Sequence, residues 1–174
     1  PSEYAKSNMA DEVNKKLAQI LKDLHVKNPE KEIRMVPMHY FHIGDDDRAF
    51  MNHLRFKEGL ENLKIQNEPL NLFETMLKFQ EAEICYGMRF HSVLFQTILN
   101  GNNYVLDYTE PKVGKISGFL SLIDKSNFYQ NRYINLQSGE SHEFESGLSD
   151  SKFAFDQGLL ESQIEVLRKG LEPG

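Results

Sequence analysis

The segment Tyr86-Gly87-Met88-Arg89-Phe90-His91 reads as the end of a strand, a turn and the opening of a helix. Gly87 permits a tight turn there, and Arg89 and His91 fall in the first turn of the helix that follows. Such a place already favours an anion, because the first backbone amides have no intrahelical partner and the helix dipole is positive at that end. The arginine fork matches phosphate or carboxylate. His91 can donate a hydrogen bond or carry a proton near neutral pH. Basic side chains are locally unfavourable at a helix N-terminus, so a bound anion is one explanation of their presence. The other is that Arg89 pairs with a nearby acid while His91 packs under the sheet edge.

Two further stretches carry similar potential. Met38-His39-Tyr40-Phe41-His42-Ile43-Gly44-Asp45-Asp46-Asp47-Arg48 combines two histidines, two aromatic residues and three acids after an extended run. Histidine and carboxylate are good metal ligands, but the spacing matches no standard zinc pattern, and no metal is expected. Contact of His39 and His42 with a substrate, catalysis, and plain helix capping with packing all stay open. In Asp107-Tyr108-Thr109-Glu110-Pro111-Lys112, the lysine stands at a helix start and could reach an anion beside Arg89, or simply be solvated.

Other residues read as structural. Cys85, the sole cysteine, lies in the apolar run Ile84-Cys85-Tyr86, cannot form an internal disulfide, and is expected to be a small buried hydrophobe. Phe90, Leu94, Phe95, Ile98 and Leu99 form a packing stripe, and His25, His53 and His142 lie in helical or polar surroundings. No G-x-G-x-x-G follows a strand, and neither a P-loop nor a G-x-S-x-G elbow occurs, so dinucleotide, P-loop and self-contained hydrolase readings lack support.

The elements that must hold these residues alternate along the chain. Helical periodicity covers residues 8–24, with Val13, Leu17, Ile20, Leu21 and Leu24 on one face, and again 45–56, 71–81, 90–99 and 113–123. Between them, 33–38, 63–66, 83–87, 104–108 and 133–136 read as strands. A polar stretch at 137–152 is expected as a surface loop, and 153–171 as a closing helix with Leu160, Ile164, Leu167 and Leu171 in register. Residues 1–7 read as a boundary or linker, and 8–174 as one domain. This rhythm predicts an α/β, Rossmann-like parallel sheet with helices on both faces. Ligands bind such sheets at the carboxyl ends of the strands, which is where all three stretches fall.

Composition narrows the function classes. The 174 residues suffice for one domain with its own core, and 40% hydrophobic against 26% charged residues is ordinary for a globular chain. A formal charge of −6 without a basic stripe argues against nucleic acid as a partner. No apolar run approaches the ~20 residues of a membrane-spanning helix, no signal peptide is visible, and a reducing, cytoplasmic location is expected.

Gly87 followed by Met88-Arg89-Phe90-His91-Ser92-Val93-Leu94-Phe95 resembles the M-R-[LF]-H segment of polysaccharide pyruvyl transferases. Leu106-Asp107-Tyr108, Pro111-Lys112-Val113 and Phe119-Leu120 resemble that family's downstream Y-x-P-K-V segment and its helix. Val36-Pro37-Met38-His39-Tyr40-Phe41 and Asp46-Asp47-Arg48 are similar to its first C-terminal strand and loop. The likeness covers residues 10–125 in one order and fades past Asn127; Thr109-Glu110 departs from a shorter, aspartate-containing link.

The resemblance implies the C-terminal, donor-binding half of a glycosyltransferase-B-like architecture, whose N-terminal partner domain is absent from this chain. It implies phosphoenolpyruvate as donor, no separate cofactor, and a sugar or lipid-linked oligosaccharide acceptor in cell-envelope polysaccharide biosynthesis. Any association with the inner membrane would then run through the acceptor. By the same likeness Arg89 and His91 serve catalysis at the donor site with Lys112 near its charge, while Gly87, His39 and His42 are expected around the donor from their place at the strand ends. Two other readings compete: a nucleotide-sugar-binding domain of a glycosyltransferase or epimerase of the same architecture, and a non-catalytic domain that kept the fold.

Overall fold

A computed structural model describes residues 10–40, 46–60, 63–110, 113–138, 151–156, 158 and 161. Helix α1 (Ala10–Lys27) comes first, with acids in its first turn and bases in its last, as the helix dipole favours. Strand β1 (Arg34–Met35), α2 (Asp47–Lys57), β2 (Lys64–Ile65), α3 (Leu72–Glu81) and β3 (Cys85–Gly87) follow. Then come α4 (Phe90–Leu99), β4 (Asn103–Asp107), α5 (Lys115–Ile123) and β5 (Tyr133–Asn135). Every strand pairing is parallel: β1 with β2, β3 with β4, and β4 with β5.

The alternating pattern therefore gives a mixed α/β chain with parallel strands. The strands form two small sheets, where a single sheet was expected. Pro37 helps to explain why β1 is so short. Met35 faces β2, its carbonyl accepting from the Gln66 amide at 3.0 Å, so the next donor on that side would be Pro37, which has no N–H.

Strand β4 is buried along its whole length, and its alternating side chains build two cores. Leu106 packs with Val13, Leu17, Ala18 and Leu21 of α1, Leu54 of α2, and Ile134 and Leu136. On the other side, Val105 packs with Val93 of α4, Ile116, Leu120 and Ile123 of α5, and Tyr129 and Phe153. Helices thus cover both faces of the three-stranded sheet.

The expected start of the closing helix is corrected. Residues 151–156 carry no helix. Phe153 is instead buried in the second core, and its amide donates to the Gly101 carbonyl at 2.9 Å. The aromatic cluster of Phe128, Tyr129, Phe153 and Phe155 outweighs the local helical pattern. Most of the remainder of 153–171, and 139–150 of the polar loop, lie outside the described residues. Among the described residues no helix is long and apolar enough to cross a membrane.

Leu106, 2% exposed at the centre of the first core, gives the direct test of this packing. Leu106→Ala is expected to cost about 2–5 kcal/mol, seen as a lower urea midpoint with an unchanged denaturant slope.

Candidate functional site

The turn between β3 and α4 is built from its glycine outward. Gly87 does not adopt the left-handed backbone that a tight glycine turn would use; among the described glycines only Gly59 (φ +66°) and Gly101 (φ +74°) do. Its lack of a side chain serves close packing instead. A Cβ at Gly87 would lie 2.7 Å from Gln96 Oε1 and 2.8 Å from Val93 Cγ2, so α4 can rest directly on the strand end only over glycine.

Arg89 is the N-cap of α4, in extended conformation with φ −103° and ψ 147°. Ser92 Oγ accepts from the Arg89 amide at 3.1 Å and donates to its carbonyl at 2.7 Å, fixing the helix entry. A guanidinium has no acceptor, so it cannot cap the amides of Phe90, His91 and Ser92. Helices α2 and α3 begin differently. Asp46 Oδ1 accepts from the Arg48 amide at 2.9 Å, and Asn71 Oδ1 from the Glu74 amide at 2.9 Å in a reciprocal capping box. Among the described residues no side chain accepts from these amides.

Across from this turn lies the loop after β1. Arg89 Nη2 donates to Asp47 Oδ1, an ion pair joining positions 42 apart in sequence. Asp47 Oδ2 accepts from the Met38 amide at 3.1 Å, and the Asp47 amide donates to the His39 carbonyl at 3.1 Å. Arg48 holds Asp46 through Nη2 at 2.5 Å, reaches the Asn67 carbonyl with Nη1 at 2.8 Å, and lies 5.2 Å over the Tyr40 ring. The carboxyl ends of β1, β2 and β3 are tied together by these contacts.

Of the sequence candidates, the structure brings Gly87, Arg89 and the backbone of His39 to one edge. His91 is exposed on the first turn of α4, edge-on to Phe90 at 5.6 Å, and among the described residues it makes no hydrogen bond. His42 and Lys112 lie outside the described residues, as does His142. His53 is exposed and His25 half-buried. Among the described residues no three His, Cys, Asp or Glu side chains gather as ligands of one metal ion. Cys85 is buried, and burial pushes its thiol up to about 12, which leaves it unreactive.

Two groups that matter to this edge did not stand out from the sequence. Asp47 was indistinguishable from its acidic neighbours, since only the fold shows that Arg89 meets it. Asp107, at the end of β4, is wholly buried. Its Oδ1 accepts from Thr109 N at 2.9 Å and Thr109 Oγ1 at 2.7 Å, while Oδ2 accepts from the Tyr133 hydroxyl at 2.8 Å. Asn135 Nδ2 donates to the Thr109 carbonyl at 3.0 Å, and a Cβ at Gly114 would collide with Thr109 Oγ1. The turn after β4 is thereby locked onto β5.

No family model, curated protein or solved structure matches the chain.

The Asp107–Tyr133 contact carries a pH signature. Burial, with a smaller push from Asp107, raises the Tyr133 phenol from 10.0 to about 12. A raised folded value means that its contribution to stability is complete below pH 10 and lost as pH rises through about 12. Tyr133→Phe is expected to make the fall of the urea midpoint between pH 10 and 12 shallower than in the parent chain.

Proposed function

We propose that this chain is the donor-binding half of a polysaccharide pyruvyl transferase of glycosyltransferase-B-like architecture, with phosphoenolpyruvate held at the N-terminus of α4. The observation that carries this reading is Arg89 itself. A cationic N-cap stands at the carboxyl end of a parallel strand, on a helix whose first amides no side chain caps among the described residues. The same residues form the segment that resembles the family's donor motif. Phosphoenolpyruvate is a compact ligand whose two anionic groups suit a guanidinium beside helix-start amides.

Arg89 would bind a carboxylate or phosphate oxygen through the part of its fork not engaged with Asp47, and the α4 amides would take the remaining oxygens. Protonation at the enol methylene then makes the adjoining carbon electrophilic. One sugar hydroxyl adds there and gives up its proton, phosphate leaves with the enol oxygen, and a second hydroxyl closes the ketal with loss of its own proton. His91, exposed on the same turn, is the candidate for moving one of these protons or holding the leaving phosphate. The acceptor would enter from the preceding half of the enzyme.

Calorimetric titration of the 174-residue chain with phosphoenolpyruvate, UDP and inorganic phosphate tests the reading. Phosphoenolpyruvate is expected to bind best, and Arg89→Ala to weaken it by about 10- to 100-fold, the worth of a charge-assisted contact. Tighter binding of UDP would move the chain to the nucleotide-sugar class, and binding of none of the three would end the proposal. In an enzyme carrying both halves, His91→Ala is expected to lower pyruvyl transfer by about 10²- to 10⁴-fold. Near-normal turnover would remove His91 from the mechanism.

A further inference from the structure

Asp47 has no capping duty that accounts for it, because Asp46 is the N-cap of α2. Its carboxylate is nevertheless among the most constrained on this edge. Oδ2 is fixed by the Met38 amide at 3.1 Å, and the Asp47 amide is fixed by the His39 carbonyl at 3.1 Å. The side chain is only 14% exposed. Oδ1 receives a single corner of the Arg89 fork, Nη2. Among the described residues Nη1 and Nε of Arg89 make no hydrogen bond, and the side chain keeps 29% of its surface exposed. Among the described residues no strand ladder joins the β1–β2 sheet to the β3–β4–β5 sheet, so this pair is a direct tie between the loop after β1 and the start of α4.

We infer that Asp47 is a positioning residue for the anion site, acting through Arg89; this rests on the reading of α4 as the donor site. A free arginine side chain has several rotatable bonds and loses much freedom when it meets a ligand. Asp47 imposes that order beforehand, holding one corner of the fork and leaving its other donors for the anion. Its negative charge also repels an anion. That repulsion is weak at a site open to water and salt, and the charge is already offset by Arg89 and the Met38 amide. Positioning therefore outweighs repulsion, which fixes the sign of the effect.

The test is a double-mutant cycle read by binding. Dissociation constants for phosphoenolpyruvate and for inorganic phosphate are measured for the parent chain, Asp47→Asn, Arg89→Ala and the double variant, with circular dichroism confirming the fold of each. Asp47→Asn is expected to weaken phosphoenolpyruvate about tenfold in the parent and to change nothing further once Arg89 is alanine. Tighter or unchanged binding in Asp47→Asn would overturn the inference. So would an equal loss in both backgrounds, which marks a merely structural role, or a parent chain that binds neither anion. Should Asp47→Asn unfold, Asp47→Glu keeps the charge and shifts the carboxylate by one methylene; it must weaken binding only where Arg89 is present. If inorganic phosphate obeys the cycle and phosphoenolpyruvate does not bind, the donor assignment falls while the role of Asp47 stands.

Discussion

Strand β4 is buried on both faces, and every polar group on it must therefore find a partner inside the protein. Its backbone is met by β3 on one side and β5 on the other. Its polar side chains form closed sets. Asn103 donates to Thr97 Oγ1 at 3.0 Å and accepts from the Tyr129 hydroxyl at 2.8 Å, and those two hydroxyls lie 2.9 Å apart. This triangle pins α4 and the segment before β5 to the amino end of the strand. At the carboxyl end, Asp107 does the same for Thr109 and Tyr133. Because both ends are fixed, α4, which begins beyond the neighbouring strand β3, has little freedom in where it starts.

The placement of α4 follows from that constraint. The helix lies against β3 with only the bare Cα of Gly87 between them, and its other end is held where Asn100 Nδ2 donates to the Phe79 and Ala82 carbonyls at 2.8 and 2.6 Å. A helix so anchored presents its first turn at a defined point of the sheet edge. The ion pair between Arg89 and Asp47 then sets that point relative to the loop carrying His39. Packing support on one side and a partly exposed cation on the other would preorganise an anion site, on the function proposed above.

Most elements could be read from periodicity because each helix has an apolar stripe and each strand a short apolar run. Helix α4 falls at 90–99, as its pattern predicts, and α3 opens one residue after the expected Asn71, which proves to be its cap. The failures share one origin, which is that local pattern carries no information about distant partners. Pro37 lay within an apolar run that read as strand, yet a parallel partner exposes its missing N–H. Residues 153–156 read as the start of a helix, yet an aromatic cluster more than twenty positions away in sequence holds Phe153 in irregular chain. Gly87 reads locally as a turn glycine, whereas crowding by α4 and not backbone conformation demands it.

The sequence alone determined the alternation of helices and strands up to β5 and the parallel α/β class, because both follow from side-chain periodicity. It also singled out Arg89 and His91, since a cation at a helix start is conspicuous in a local window. Only the tertiary structure decided which acid meets Arg89, why Asp107 is buried, and that the strands divide into two sheets. Those outcomes depend on contacts between residues 20 to 50 positions apart, such as Asp47 with Arg89 and Asp107 with Tyr133, whose geometry exists only once both cores have closed.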